Sequence, residues 1–364
     1  MVDDLMREFS VGAGILGNLS AVYLYAYAGL QIPVGVCIDR YGLKGLVAGA
    51  CAICGIGCIV FSYAESLSFA YLGRALIGAG AAFSFVGALN MAARWFPSKF
   101  AILGGWAQMM GSAGGFVGQA PLGIAVATFG WRLSSVVLGA AGLCLAFLLA
   151  FTVRDPKETK TQNKSPILKG LKTVAINRQT WLATISAGGL TGTLLAFGGL
   201  WGVPYLMVAK GIDKPESAGF VSMTFIGWAI GAPLIGWLSD LLGRRRLILI
   251  TGSAGACLTT ITLLVFPNMP NILLVSVLGI QGALSSSMIL GFALARESNP
   301  PEMSGAALGL INTFAVGSGA ILQPLAGYIL DAQWNGTVID GVRVYDVVHY
   351  QYALGILPIA CIIS

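Results

Sequence analysis

Two ten-residue stretches decide the fold of this chain: GVCIDRYGLK at Gly35–Lys44 and GWLSDLLGRR at Gly236–Arg245. Glycine, aspartate and glycine stand at matching places in both, and 236 exceeds 35, 240 exceeds 39 and 243 exceeds 42 by the same 201 residues. Each copy follows an apolar segment and opens a basic loop. The repeat predicts two similar halves that run in parallel order.

The composition requires lipid as the solvent. Of the 364 residues, 56% are hydrophobic and 10% are charged, whereas soluble domains carry about 25% charged residues. The 50 glycines suit closely packed transmembrane helices. Runs such as Val136–Val153 stay apolar over a helical length, while the strands of a membrane barrel would alternate. We therefore predict an all-α membrane protein.

Eleven apolar segments are each closed by charged or turn residues, and each predicts a membrane helix. They lie at 11–38, 45–63, 67–93, 100–127, 133–153, 180–208, 216–238, 246–266, 271–295, 303–330 and 350–364. One long polar stretch separates the fifth from the sixth. The predicted domains are an N-terminal helical bundle, a basic linker and a C-terminal helical bundle, at 1–153, 154–179 and 180–364.

The distribution of basic residues predicts the orientation in the membrane. When successive loops are assigned to alternate sides, fifteen of the 21 Lys and Arg fall on one side with the 154–179 linker, and five on the other. Cytoplasmic loops carry such an excess, so the linker is predicted to be cytoplasmic. Membrane orientation explains the net charge of +6 better than a nucleic-acid partner does.

The two halves differ in length before the repeat. From Thr180 to Gly236 the second half has 56 residues, whereas only 34 precede Gly35. We expect a twelve-helix arrangement in which one helix of about 22 residues precedes this sequence, with residues 1–10 as an external loop. The last segment, 350–364, would span about 22 Å of a core about 30 Å thick, so we expect that helix to be truncated.

The repeated Gly-x-x-x-Asp-x-x-Gly-(Arg/Lys) signature resembles the best-known motif of the major facilitator superfamily, and the resemblance covers essentially the whole chain. It implies two pseudo-symmetric bundles, a secondary transporter acting by alternating access in a bacterial inner membrane, a monomer, a coupling proton or sodium ion, and no cofactor. The gating motif comprises Gly35, Asp39, Arg40, Gly42 and Lys44 in the first half, and Gly236, Asp240, Gly243, Arg244 and Arg245 in the second. A carboxylate at a helix end can bond a neighbouring helix start and nearby arginines, forming a latch that breaks when the halves rock. Simple loop capping is the alternative.

The run LGRALIGAG at Leu72–Gly80 resembles the fourth-helix motif of the same family and carries Arg74, which lies well inside an apolar span. Intramembrane charges are costly and indicate function by default. Three kinds of partner stay open for Arg74: backbone carbonyls, a group on the helix that is expected before residue 1, or an anionic solute. Because guanidinium matches a carboxylate bidentately, the third alternative predicts an amino acid or organic anion.

Two further stretches bear on the direction of transport. The family's antiporter motif ends in Gly-Pro, but GFVGQAPLG places Gln119 after Gly118, which weakens the alternative of a drug-like or metabolite exporter. The segments SAVYLYAYAGLQIPVG at 20–35 and FGGLWGVPYLM at 197–207 are similar to bacterial importers of amino acids and organic anions.

Polar and aromatic residues in the predicted pathway helices are the candidate solute contacts, because solute sites in this family lie between the halves near the midplane. They are Arg74, Tyr23, Tyr27, Gln31, Gln108, Gln119, Trp201, Tyr205, Gln281 and Asn312. Helix packing is the alternative for each, and interfacial anchoring for the aromatic residues.

An enzyme is not expected from this sequence. The single histidine, His349, falls in a predicted external loop, and no Gly-x-Ser-x-Gly or His-Glu-x-x-His motif occurs. The seven cysteines fit apolar packing better than a metal site. A membrane receptor built on a transporter scaffold stays open.

Overall fold

A computed structural model describes residues 2–41, 44–95, 100–153, 174–300, 303–339 and 342–364. The first half contains α1 (Val2–Phe9), α2 (Ala13–Tyr41), α3 (Lys44–Ser62), α4 (Leu67–Trp95) and α5 (Phe100–Thr152). The second half begins with α6 (Arg178–Ala196), a π-helical turn (Phe197–Trp201) and α7 (Gly202–Lys210), followed by α8 (Lys214–Leu242) and α9 (Arg245–Val265). It continues with α10 (Asn271–Ser285), a 3-10 turn (Ser286–Met288), α11 (Ile289–Glu297), α12 (Ser304–Ala332), α13 (Val347–Leu354) and α14 (Ile356–Ile363).

The predicted spans are helical. Within the described ranges, nine helical stretches are long and apolar enough to cross a membrane. One of them, Met109–Thr152, breaks at Gly130, whose φ of 79° and ψ of 161° are not helical. Glycine adopts positive φ without the steric cost that a Cβ brings, so the two predicted segments 100–127 and 133–153 join there. The shorter apolar stretch Val347–Ile363 corresponds to the last predicted segment.

Two regions differ from the prediction. Residues 1–10 were expected to be a loop, but Val2–Phe9 is a helix that buries Leu5 and Met6, with acidic residues in its first turn and Arg7 in its last, as the helix dipole favours. A two-residue antiparallel ladder pairs Val338 with Arg343 between α12 and α13.

Of the predicted linker 154–179, residues 154–173 lie outside the described residues.

The surface of the bundle is apolar. Phe147, Phe151, Leu258 and Ile272 have 67%, 69%, 65% and 84% of their surface exposed. Such a surface is stable only against lipid, because membrane helices turn apolar side chains outward. The fold is therefore the all-α membrane architecture that the composition predicted.

Packing inside each half and between the halves follows a simple plan. In the first half α3 packs on α4 and α5, and in the second α8 packs on α10 and α6 on α12. Between the halves, α2 packs along α12 and α5 along α8. Gly17 meets Pro324 and Gln31 bonds Asn312, so α2 and α12 run antiparallel.

Candidate functional site

A cavity of about 290 Å³ lies where α1, α2, α4 and α5 face the π-helical turn, α7 and α8. Most of its wall is apolar, with Leu16, Leu122, Val126, Leu200 and Val203 among the lining residues. The polar side chains that line it are Ser20, Arg74, Gln119, Lys214 and Asp3. Concave, largely apolar sites with a few polar groups are typical of small-molecule binding.

Arg74 reaches the cavity from α4 and is tied to α2. Its Nη2 donates to the carbonyl of Ser20 at 2.9 Å and its Nε to that of Leu19 at 3.4 Å. Its guanidinium carbon lies 5.3 Å from the ring centroid of Tyr23, within the range of a cation–π contact. Among the described residues no carboxylate pairs with Arg74. These contacts fix the position of the guanidinium without neutralising its charge.

Gln119 joins the two halves beside Arg74. Its Nε2 donates to the carbonyl of Gly198 in the π-helical turn. A π-helical turn shifts the backbone register, and such turns often occur at functional sites. Gln119 is thus held at the seam between α5 and the second half.

A second polar cluster connects α2 to α12. Asn312 Nδ2 donates to Gln31 Oε1 at 3.1 Å, and the Tyr27 hydroxyl lies near both residues. The rings of Tyr23 and Tyr27 lie 6.1 Å apart, and Tyr23 contacts the Arg74 guanidinium, so the tyrosines connect this cluster to Arg74. The structure therefore brings together Tyr23, Tyr27, Gln31 and Asn312.

Three other predicted contacts lie in packed interiors, away from the cavity wall. Trp201, 1% exposed, donates from Nε1 to the carbonyl of Gln323 at 2.9 Å. Tyr205, fully buried, donates to the carbonyl of Leu263 at 2.8 Å. Gln281, 1% exposed, donates to Ser285 Oγ at 3.3 Å. The Gln108 side chain lies outside the described part of the chain, although its backbone is in α5.

The cavity also has a contact that the sequence did not indicate. Lys214, at the first turn of α8, places its Nζ 2.7 Å from Asp4 Oδ2 and 3.7 Å from Asp3 Oδ2. Burial alone would raise the pKa of Asp4, but the hydrogen bond from Lys214 and nearby positive charge lower it to about 2. Because Glu8 pairs with Arg132 at 2.9 Å, α1 is bonded to both halves. In the sequence, Lys214 is a basic residue in the loop between two apolar segments, so its contact with α1 was not predicted.

The second copy of the gating motif is described in full. Gly243 ends α8 at a φ of 61° and its N–H donates to the carbonyl of Ser239, a common helix ending that favours glycine. Arg245 Nη2 lies 3.3 Å from Asp240 Oδ1 and 2.9 Å from Glu297 Oε1, so these bonds stay within the second half. Gly236 lies within α8, and Arg244, the motif residue after Gly243, is exposed.

The first copy is described in part. Gly35, Asp39 and Arg40 belong to the backbone of α2, and their side-chain positions lie outside the described part. Gly42 is not among the described residues, and Lys44 begins α3 as an exposed residue. The role of the first copy as a latch stays a prediction.

Comparison with known proteins identifies the family. The model of the Major Facilitator Superfamily matches residues 1–210 and 193–364. The chain belongs to this superfamily. As a member, it is a multi-pass membrane protein whose two helical bundles are the halves that the repeat predicted.

Relatives and solved structures agree with the family. The chain is 26% identical to the "probable galactarate/D-glucarate transporter GudP" of Bacillus subtilis, over 93% of this chain and 82% of that protein. It is 25% identical to the "membrane sensor protein UhpC" of Salmonella typhimurium, over 88% of this chain and 78% of that protein. A bacterial homolog of the human lysosomal transporter Spinster, solved in an inward-facing and unoccupied conformation, superposes with a TM-score of 0.81 at 17% identity, over 100% of this chain and 90% of that one.

Proposed function

We propose that this superfamily member is a secondary transporter that moves a small carboxylate-bearing solute across a bacterial inner membrane by alternating access. The observation that carries the proposal is the guanidinium of Arg74, which lines a mostly apolar cavity and has no carboxylate partner among the described residues. Among possible solutes, an amino acid or an organic anion such as a sugar acid fits this charge. The similarity to a galactarate/D-glucarate transporter supports the sugar-acid class.

The energetic argument rests on the cost of a buried charge. Insertion scales place an arginine at the centre of a membrane helix at about 2.5–3.5 kcal/mol. The carbonyls of Leu19 and Ser20 offset part of that cost through Nε and Nη2. Within the described residues no partner is found for Nη1, and a solute carboxylate in the cavity would supply one.

The other candidate contacts divide by their surroundings. Gln119 lines the cavity beside Arg74, and Tyr23 stacks near the guanidinium, so we propose both as solute contacts. We propose that Tyr27, Gln31 and Asn312 line the pathway next to them. Trp201, Tyr205 and Gln281 would support the wall from behind, because they donate their polar hydrogens to protein groups.

Alternating access requires two units and an orientation. We propose the bundles 1–153 and 180–364 as the units, with the basic 154–179 linker and both signature loops on the cytoplasmic side. A proton or sodium gradient would drive the solute, and the monomer would be the working unit.

Thermal stabilisation of the purified protein tests the solute class. Sugar diacids, amino acids and neutral sugars are each added to the protein in detergent, and the shift in Tm is measured. We expect anions alone to stabilise it, and Arg74→Lys to lower the affinity about tenfold, because lysine cannot bind a carboxylate bidentately.

Arg132 provides the matched control. It too bonds backbone carbonyls, those of Ser62 and Ala64, and lies 4.5 Å from the Trp131 ring, but it does not line the cavity. Arg132→Lys should lower the Tm and leave the anion-induced shift intact. Stabilisation by neutral sugars alone, or an unchanged affinity in Arg74→Lys, would refute the proposal.

A sensor is the second candidate, favoured by the similarity to a membrane sensor protein. Binding would be the same in both cases, whereas only a transporter catalyses flux. Uptake of the stabilising anion into liposomes decides between them, since anion binding without uptake would favour the sensor.

A further inference from the structure

One end of the bundle carries a carboxylate with four hydrogen-bond donors. Asp331, at the end of α12, accepts at Oδ1 from the N–H of Ala13 at 3.0 Å, from the Tyr345 hydroxyl at 2.6 Å and from Arg343 Nη1 at 3.1 Å. Its Oδ2 accepts from the N–H of Gly14 at 2.7 Å. The side chain is 20% exposed. Both oxygens of the Asp331 carboxylate thus accept hydrogen bonds.

These bonds join the two halves. Ala13 and Gly14 are the first residues of α2, so the carboxylate caps the positive end of a helix 317 residues away in sequence. The residue before α2 is Gly12, which has no side chain to cap with. A Cβ at Gly12 would lie 2.5 Å from Asp331 Oδ1, so this glycine leaves room for a cap that comes from the opposite half.

The backbones of α2 and α12 also touch at this end. A Cβ on Gly327 would lie 2.3 Å from the carbonyl of Ala13, and one on Gly17 would lie 2.7 Å from the carbonyl of Gln323. Any path from the cavity to this side of the membrane that separates α2 from α12 must first break the bonds of Asp331.

Two of the donors to Asp331, Arg343 and Tyr345, are themselves fixed by their surroundings. Arg343 stacks 4.3 Å from the ring of Trp334, which fixes its guanidinium beside the carboxylate. Burial and the adjacent Asp331 raise the pKa of Tyr345, so its hydroxyl stays a neutral donor. The bonds are thus charge-assisted, and each is stronger than a bond between neutral groups.

We propose that Asp331 is the gating residue on the face opposite the two signature loops. It holds α2 while the cavity is closed to that face and releases α2 when the cavity opens there. The two faces lie at opposite ends of the bundle, because α2 begins at Ala13 beside Asp331 and ends at Tyr41 in the first signature, about 40 Å away for 29 residues. The inference rests on alternating access, part of the proposed function, and does not depend on the identity of the solute.

Amide hydrogen exchange on the full chain in detergent tests the gate without any solute. In Asp331→Asn we expect exchange of residues 13–19 to become at least about fivefold faster, the usual effect of a lost helix cap. If Asp331 is a gate and not only a helix cap, residues 118–126 of α5, which line the cavity, should also exchange faster. Fraying confined to the first turn of α2 would overturn the proposal.

Asp213→Asn is the matched control. Asp213 caps α8 within its own half by accepting from the N–H of Glu216 at 2.9 Å, so faster exchange should stay within that helix start. If Asp331→Asn unfolds, Tyr345→Phe removes the hydroxyl that donates to Asp331 at 2.6 Å and accepts from the Ala13 N–H at 3.2 Å, and it should give a smaller increase in the same two segments. No increase there in Tyr345→Phe would refute the gate. Failure of every anion to bind, with the exchange pattern as expected, would remove the proposed solute and leave the gate.

Discussion

Asn312 and Gln31 are joined by a hydrogen bond of 3.1 Å, although 281 residues separate them in sequence. The bond links the second half of α2 to the first third of α12, and Tyr27, one turn before Gln31, lies near the same pair. It is therefore a point at which the two halves are held in register by polar side chains and not by apolar packing alone.

Replacing Asn312 with Leu should destabilise this contact. Gln31 Oε1 would lose its donor while still partly buried, which costs about 1–3 kcal/mol, measured as a lower Tm. Asn18→Leu is the control, because Asn18 bonds Tyr71 within the first half at 3.3 Å. If both variants lose stability but only Asn312→Leu loses the anion-induced shift, Asn312 belongs to the solute pathway. Equal shifts in the two would leave it a packing residue.

Lys214→Gln should release α1. The ammonium bonds Asp4 at 2.7 Å and is 21% exposed, so its loss costs about 1 kcal/mol and should let residues 2–9 exchange faster and be cleaved sooner by protease. Lys210→Gln is the control, since Lys210 donates to the carbonyl of Met269 and not to α1. Equal cleavage in both variants would contradict the bridging role of α1.

The same ion pair predicts a pH dependence. Although burial alone would raise it, Lys214 and other nearby positive charge hold the pKa of Asp4 in the folded protein at about 2, below its usual 3.8, so its stabilising contribution is nearly complete above about pH 5 and is lost as the pH falls toward 2. Protease cleavage within α1 should be the same at pH 5 and pH 7. Faster cleavage at pH 5 would mean that another group holds α1.

Gly227→Ala should destabilise the second half more than most single substitutions. The added Cβ would lie 1.9 Å from the carbonyl of Gly279, so backbone must move, at a cost of about 3 kcal/mol. Gly279→Ala is the control, because its Cβ would find no atom within 4 Å. A thermal melt compares the two, and similar Tm values would show that α8 and α10 pack less closely than described.

The two signature aspartates should differ in their effect on transport. Asp39 lies eight residues beyond Gln31, and Ser304 eight before Asn312, so the antiparallel register places Asp39 level with the start of α12 in the other half. Asp240, whose side chain is 72% exposed, pairs with Arg245 in its own half. We expect Asp39→Asn to lower uptake about tenfold, the effect of one charge-assisted bond, and Asp240→Asn to lower it less than twofold. Equal losses would assign both aspartates the same role.

The sequence predicted the spans because the cost of exposing polar backbone in lipid allows little else over long apolar segments. The break at Gly130 falls between the predicted segments 100–127 and 133–153. The surroundings of the side chains could not be predicted: Trp201 and Tyr205 are aromatic residues in a pathway helix, yet both face packed protein. Which side of a helix faces the cavity depends on crossing contacts between distant segments, and one sequence does not contain those.

Lys214 and Asp331 make contacts that the sequence did not predict. Lys214 counted only as a basic loop residue in the predicted membrane orientation, and Asp331 lies just beyond the predicted segment 303–330. In the structure each binds a segment of the first half more than 200 residues away. Long-range ion pairs leave no periodic pattern in the sequence, so a hydropathy profile does not reveal them.

The glycine contact between α8 and α10 makes this part of the second half stiff. Where a Cβ on Gly227 or Gly282 would lie 1.9 Å from a facing carbonyl, backbone rests on backbone, and a small displacement meets steep repulsion. Between the halves, backbone also rests on backbone where Gly17 and Gly327 bring α2 against α12, whereas the contacts of Gln31, Asn312 and Lys214 are made by side chains, whose torsions rotate at little cost. A force applied across the protein would therefore be absorbed first at those side-chain contacts, while α8 and α10 would move together as one piece.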